Sequence, residues 1–358
     1  MTEPPEPMRK MDSGFADALG GHPALVQEAV YAFAGRSVRL RVVGSGFGQR
    51  THRAFAHLLA QGNSNGQPVL RIDLWDETET AIPCPIDAGS IDFDRQWVAA
   101  GGTLAASPDG RYVSFRFQDS IAVLDRHRQR ILGCRRNGSG LSGGEYSKPL
   151  VLLLSVWYHD RSMQVLHAGL IARGGVGVLL PGESGTGKST TCVASIGQGF
   201  EYLGDDFVGL EHSADGGFLG HSLFSTACLA RKDLSRFRGI GQRAVEDGAP
   251  GEEKPILFLS EIYPDRLRAT VPIRAVVLLR VGCERTEIHP ARRPEAMRGF
   301  AASTLHTVVP RPGREALRMI GALVEQVPAW WLLLGPELND LAPSINQILT
   351  QAAGRDAP

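Results

Sequence analysis

Residues 176–190 read VGVLLPGESGTGKST, and the order of events in this stretch decides the fold class. Val176 to Pro181 is an apolar run of strand length, and Thr190 to Gly197 has the pattern of a helix that stops at a glycine. Between them lies the phosphate-binding pattern of Gly, four free positions, Gly, Lys and Ser or Thr. Gly182 and Gly187 let the backbone close tightly, so that the N–H groups of Ser184 to Ser189 point inward, with the positive end of the following helix behind them. The expected nucleotide cradle is therefore Gly182, Glu183, Ser184, Gly185, Thr186, Gly187, Lys188, Ser189 and Thr190. Lys188 is expected to reach the β and γ phosphates of ATP, and Ser189 to ligate Mg²⁺.

Composition narrows the alternatives. The chain has 358 residues, 43% of them hydrophobic, enough for two domains with a core each. Lys plus Arg total 38 and Asp plus Glu total 38, so no overall field draws the protein to nucleic acid or to an anionic membrane. Lysine is rare, occurring only at positions 10, 148, 188, 232 and 254, and one of these five stands where the phosphate loop needs it. The cysteines at 84, 134, 192, 228 and 283 lack the paired spacing of a zinc site and read as small, unpaired core residues in a reducing compartment. The opening MTEPPEPMRKMDSG has no apolar stretch after its charges, so residues 1–20 are expected to be a flexible tail rather than a secretory signal. Leu150 to Trp157 is too short to span a bilayer. The expected location is the cytoplasm.

Along the chain, SVRLRVV at 37–43, VLRIDLW at 69–75, RYVSFRF at 111–117 and SIAVLD at 120–125 have strand character, broken by NSNG at 63–66 and SPDG at 107–110. Helices are expected over Pro23 to Phe33 and near Thr51 to Gln61. This predicts a smaller, β-rich domain over residues 21–140. Arg135 to Pro149, dense in Gly and Ser, reads as an exposed linker or mobile loop. A catalytic domain is expected over residues 146–353. It has an apolar helix at Leu150 to His159, a hairpin about SADGG at 213–217, and a buried strand at 271–281. Helices follow at Glu295 to Thr304 and Arg314 to Val327, then a strand at 329–335 and a closing helix at Glu337 to Ala352. Arg231 to Pro255, charged and Gly-rich, reads equally as a substrate loop or as a disordered insertion.

Asp205 and Asp206 follow the loop after one helix, at the end of EYLG. Adjacent side chains on a strand point to opposite faces, so one can hold Mg²⁺ while the other takes a proton from an attacking hydroxyl. His167, in VLHAGLIA, reads on its own as a core histidine. Arg266, Arg268 and Arg274 are weaker candidates for a cationic clamp, since each reads first as a surface arginine.

HAGLIARGGVGVLLPGESGTGKST followed by FEYLGDDFV resembles the HPr kinase/phosphorylases. These are bacterial enzymes that phosphorylate a serine of a small carrier protein, using a phosphate loop in a fold related to phosphoenolpyruvate carboxykinase. The resemblance covers about fifty residues closely and Leu150 to Ala352 in outline. It implies an α/β phosphate-loop kinase domain with a mixed sheet and an ATP-dependent transfer to a serine hydroxyl, with homo-oligomerisation by family analogy. Asp206 would be the catalytic base, Asp205 a supporting and metal-binding group, and His167 an aid to phosphate and proton handling. The chain departs from the family at Thr190, where the family has Glu. It also departs in CLARKDLSRF at 228–237, which lacks the metal-binding Glu, and in TVPIRAVVLLRV at 270–281, where the loop tied to dephosphorylation is shortened. The expectation is therefore a serine kinase of a protein or peptide without clear phosphorylase activity. It looks more like the kinase-like members with other substrates, including those that modify a ribosomal peptide precursor. A small-molecule kinase on the same scaffold and a non-catalytic ATP-binding sensor are the alternatives.

Overall fold

The computed structural model describes residues 4, 6–60, 67–85, 95–99, 102–138, 143–237, 239–244, 254–307 and 313–354. The chain is mixed α/β and divides into two compact units, Met1–Trp157 and Tyr158–Pro358. The NSNG turn signal, much of the 231–255 stretch and residues 310–312 lie outside the described residues.

The first unit carries β1 (Val26–Phe33), β2 (Arg36–Val43), β3 (Leu70–Asp76), β4 (Arg95–Ala99), β5 (Gly102–Ala106), β6 (Tyr112–Phe117), β7 (Ser120–Asp125) and β8 (Arg130–Arg135). Among the described residues these form one sheet in the order β1-β2-β3-β8-β7-β6-β5-β4. β2, β3 and β8 are parallel neighbours, and such pairs need a crossover, which the helix Ser45–Phe55 supplies between β2 and β3. Residues 23–33, expected as a helix, are instead mostly β1. Ala34 and Gly35 both take positive φ (47° and 74°), the backbone of a tight two-residue hairpin turn, and every residue of Val26–Phe33 pairs with β2.

The expected tail at 1–20 is likewise corrected, because Glu6–Gly21 is a helix with Met8, Met11, Phe15 and Ala18 buried. These four residues share a core with Val43, Trp75, Val123 and Leu132. The guanidinium groups of Arg41 and Arg130 lie over the Phe15 ring at 5.2 and 5.7 Å, and Asp12 pairs with Arg130. The Arg135 to Pro149 stretch is not an exposed linker where it is described. Arg135 is buried and pairs with Glu145 at 2.7 Å, and Tyr146, Ser147 and Lys148 are buried. The expectation of five unpaired cysteines also fails. Cys84 and Cys134, 50 residues apart in sequence, form a disulfide with Cα atoms 5.5 Å apart. The segment after β3 returns beside β8, a proximity that no spacing rule encodes. This removes the cysteine argument for a reducing compartment.

The second unit contains β9 (Met163–Arg173), β10 (Val176–Pro181), β11 (Glu201–Gly204), β12 (Phe207–His212), β13 (Phe218–Ser222), β14 (Thr226–Cys228), β15 (Ile256–Phe258), β16 (Thr270–Val281), β17 (Glu287–Pro290) and β18 (Ala329–Leu334). β9 and β16 each serve two sets of partners. The first half of β9 pairs with β12 and its second half with β10 and β11, while β16 pairs in turn with β13, β10 and β18. β10, β16 and β18 are parallel and the other pairings antiparallel, so the sheet is mixed.

Successive residues of its central strands enter opposite cores. Val178 and Leu180 pack with the helices Lys188–Gly197 and Leu341–Ala353, through Cys192, Ile196, Ile345 and Ile348. Leu179 packs with the helices Arg293–Thr307 and Gly313–Gln326, through Phe300, Ile320 and Leu323. Burial on both faces explains why these strands read as continuous apolar runs. Among the described residues no helix is long and apolar enough to cross a membrane.

Phe15, only 2% exposed, anchors the first helix. Phe15→Ala is expected to destabilise the first unit by about 3–5 kcal/mol in denaturant unfolding. An unchanged midpoint would mean that residues 6–21 do not pack as described.

Candidate active site

The loop after β10 is shaped by glycine. Gly182, Gly185 and Gly187 take φ of 150°, 89° and 99°, which side-chain-bearing residues rarely adopt. A Cβ on Gly182 would lie 2.9 Å from Thr186 Oγ1, and one on Gly187 would lie 2.9 Å from Val281 Cγ1 and 3.1 Å from Leu334 Cδ1. The loop is thus closed on itself by the first glycine and seated against the ends of β16 and β18 by the last. Thr186 Oγ1 donates to Glu183 O at 2.9 Å and braces the turn. The helix Lys188–Gly197 starts immediately after Gly187, with Cys192 against β9, where a Cβ on Gly169 would come within 2.7 Å of its sulfur.

Lys188 is 6% exposed, and its Nζ donates to Gly182 O at 2.5 Å and Glu183 O at 3.0 Å. An ammonium has three protons, and these two bonds hold it inside the loop with one donor left for a ligand. Burial pushes its pKa below the ordinary lysine value, the carboxylates of Asp206 and Asp205 oppose that shift, and the charge of Lys254 adds to it.

Asp205 and Asp206 sit in the bend between β11 and β12 rather than on a strand, yet their side chains diverge as expected. Asp205 is 1% exposed; its Oδ1 accepts from Tyr202 Oη at 3.1 Å and its Oδ2 from Cys228 N at 3.2 Å. The side chain of Asp206 is 32% exposed, with Oδ1 2.5 Å from His167 Nε2. His167 stands opposite Phe207 on β9, and its backbone N–H donates to Thr304 Oγ1 at 3.3 Å. Its Nδ1 is buried without a hydrogen-bond partner among the described residues, so a neutral ring keeps its proton on Nε2, facing the carboxylate. The imidazole then holds one oxygen of Asp206 and aims the carboxylate toward the cleft.

These groups line one cleft of about 970 Å³, together with Ser184, Gly185, Ser189 and Thr190. Of the predicted site residues, Gly182, Glu183 and Thr186 shape the loop behind it. Arg266, Arg268 and Arg274 do not line it, and Arg268 pairs instead with Glu201 at 2.5 Å. Among the described residues, the Lys and Arg side chains that do line it are Lys188, Lys232, Arg236 and Lys254. The last three lie in the 231–255 stretch, whose readable signal was the rarity of lysine in this chain. Val281 to Glu284 and Leu334 to Leu338 also line the cleft, at the ends of β16 and β18 against which Gly187 is seated.

Among the described residues no cluster of three or more His, Cys, Asp or Glu could hold a metal ion. One hydroxyl and one carboxylate, Ser189 and Asp205, fit an ion such as Mg²⁺ that keeps waters and phosphate oxygens as its main ligands.

Gly187→Ala combines strained φ with a steric clash, whereas Gly185 at φ 89° faces open space. Both variants are expected to lose stability by about 1–3 kcal/mol from backbone strain. Gly187→Ala is expected to lose more in thermal unfolding, and equal losses would show that packing against β16 and β18 does not seat the loop.

No family model matches the chain. Two curated relatives, both HPr kinase/phosphorylases of Clostridium botulinum, are similar over part of it. That of strain Alaska E43 / Type E3 is 32% identical over 136 residues, covering 37% of this chain and 43% of the relative. That of strain Eklund 17B / Type B is 31% identical over 136 residues, with the same coverage of 37% and 43%. The chain thus spans less than half the length of these relatives. A solved HPr(Ser) kinase/phosphatase from Coxiella burnetii aligns with 52% of this chain and 98% of its own, at 13% identity and a TM-score of 0.29. Over those 136 residues the chain is similar to HPr kinase/phosphorylases.

Proposed function

We propose that this protein is an ATP-dependent phosphotransferase that transfers the γ-phosphoryl group to a serine hydroxyl of a protein or peptide. The scaffold we propose is a phosphate-loop kinase domain of the phosphoenolpyruvate carboxykinase-like type. The observation that carries the reading is the convergence in one cleft of Lys188, seated in a glycine loop, and Asp206, held by His167 at 2.5 Å. The loop amides and Lys188 would bind the phosphates and meet the charge that spreads over the transferred group. Asp206 would accept the serine proton, while His167 positions its carboxylate. Mg²⁺, when bound through Ser189 and Asp205, would neutralise phosphate charge. A cleft of about 970 Å³ is at the upper end for ligand sites and leaves room beside a nucleotide for a segment of an acceptor chain. This favours a protein or peptide over a small molecule as acceptor. The first unit would recognise substrate or regulate, and the use of ATP as donor would suit a cytoplasmic location.

Incubation with labelled ATP and serine-containing peptides is expected to give labelled phosphoserine. Asp206→Asn is expected to reduce transfer by at least about 100-fold while nucleotide still binds. Undiminished transfer by that variant would remove Asp206 from the role of base. Tight ATP binding without transfer to any acceptor would favour the nucleotide-sensor alternative.

A further inference from the structure

Of the five lysines in the chain, three, Lys188, Lys232 and Lys254, line the same cleft. Lys188 belongs to the phosphate loop. Lys254 belongs to a separate wall, and the hydrogen bonding of that wall fixes which end of the cleft it occupies. Lys254 is followed by Pro255, whose carbonyl accepts from Leu229 N at 3.3 Å. The next rung of the ladder pairs Cys228 of β14 with Ile256 of β15, and Cys228 N donates to Asp205 Oδ2 at 3.2 Å. The β14–β15 pair is therefore tied to the aspartates, and Lys254 stands at the aspartate end. Arg236 Nη2, by contrast, donates to Pro336 O at 2.7 Å, in the stretch that follows β18.

Resting on the phosphotransferase reading above, we propose that Lys254 is a catalytic residue: a second cation that contacts the γ-phosphoryl group from the β15 wall while Lys188 holds it from the loop. In the transfer, the bond from Pγ to the β,γ-bridging oxygen breaks and its electron pair leaves with ADP. A bond from the acceptor oxygen to Pγ forms, and the acceptor proton passes to Asp206. Negative charge on the three equatorial oxygens of the moving group is what a second ammonium stabilises. Lys254 is itself exposed, so an incoming ligand can reach it. The two ammonium groups already sense each other, since the charge of Lys254 helps lower the pKa of Lys188. A phosphoryl group between them would turn that repulsion into a shared attraction. Among the described cations that line the cleft with Lys188, Lys254 is the one whose neighbouring backbone is tied to Asp205 through the β14–β15 pair.

The test compares nucleotides that differ only at the γ position and needs no acceptor. Calorimetric titrations of the full chain with Mg-ADP and with a non-hydrolysable Mg-ATP analogue would be run on the unaltered protein, Lys254→Met and Lys254→Arg. Lys254→Met is expected to weaken the ATP analogue by about 10- to 100-fold and to leave ADP within about twofold, with Lys254→Arg recovering most of the discrimination. An unchanged analogue affinity in Lys254→Met overturns the proposal. So does an equal loss for both nucleotides, because it would place Lys254 away from the γ position. If the unaltered protein binds neither nucleotide, the phosphotransferase reading itself falls, and this proposal with it.

Discussion

β9 runs for eleven residues and is shared between two sets of strand partners, and the geometry of the cleft depends on that shared strand. At His167 it is paired with Phe207, the residue after the aspartates, and one residue later Ala168 is paired with Pro181, the last residue before the phosphate loop. One strand thus registers the His167–Asp206 side of the cleft against the glycine-loop side. Gly169 follows directly, and its missing side chain lets Cys192 of the loop helix approach β9 closely. A slip of one residue in this strand would turn His167 to the opposite face and put a side chain under the helix.

The electrostatics of the cleft follow from burial. Lys188 is withdrawn from water and held by two carbonyls of its own loop, so its charge is stabilised chiefly by the nearby aspartates. The two aspartates are adjacent in sequence but live in different environments. Asp205 is enclosed, with a phenol and a backbone amide donating to its two oxygens, whereas Asp206 meets solvent and an imidazole. Different surroundings of this kind are what would separate the metal-supporting and proton-accepting roles proposed for the pair.

Much of the second unit was legible because its elements carry strong local signals. The strand–loop–helix order around 176–197, the hairpin about SADGG, the long strand to Val281 and the helices after it all recur at nearly the expected positions. The first unit was harder to read. Val26–Phe33 has no strong local preference and becomes a strand through its pairing with β2, closed by an Ala-Gly turn that carries a weaker signal than Asn-Gly. Residues 6–21 are polar and begin after prolines, so they read as tail. Four apolar residues spaced along one helical face instead find a core to cover.

The amino-acid sequence by itself determined the loop, its lysine and hydroxyl, and the order in which histidine, loop and aspartates appear, because each depends on residue type at fixed local spacing. Only the tertiary structure decided that His167 meets Asp206 rather than packing as a core residue. It alone excluded Arg266, Arg268 and Arg274 from the cleft and brought in Lys232, Arg236 and Lys254. It also decided that Cys84 reaches Cys134. The His167–Asp206 and Cys84–Cys134 contacts join residues 39 and 50 positions apart, and these, like the lining of the cleft, depend on which strands pair and in what register.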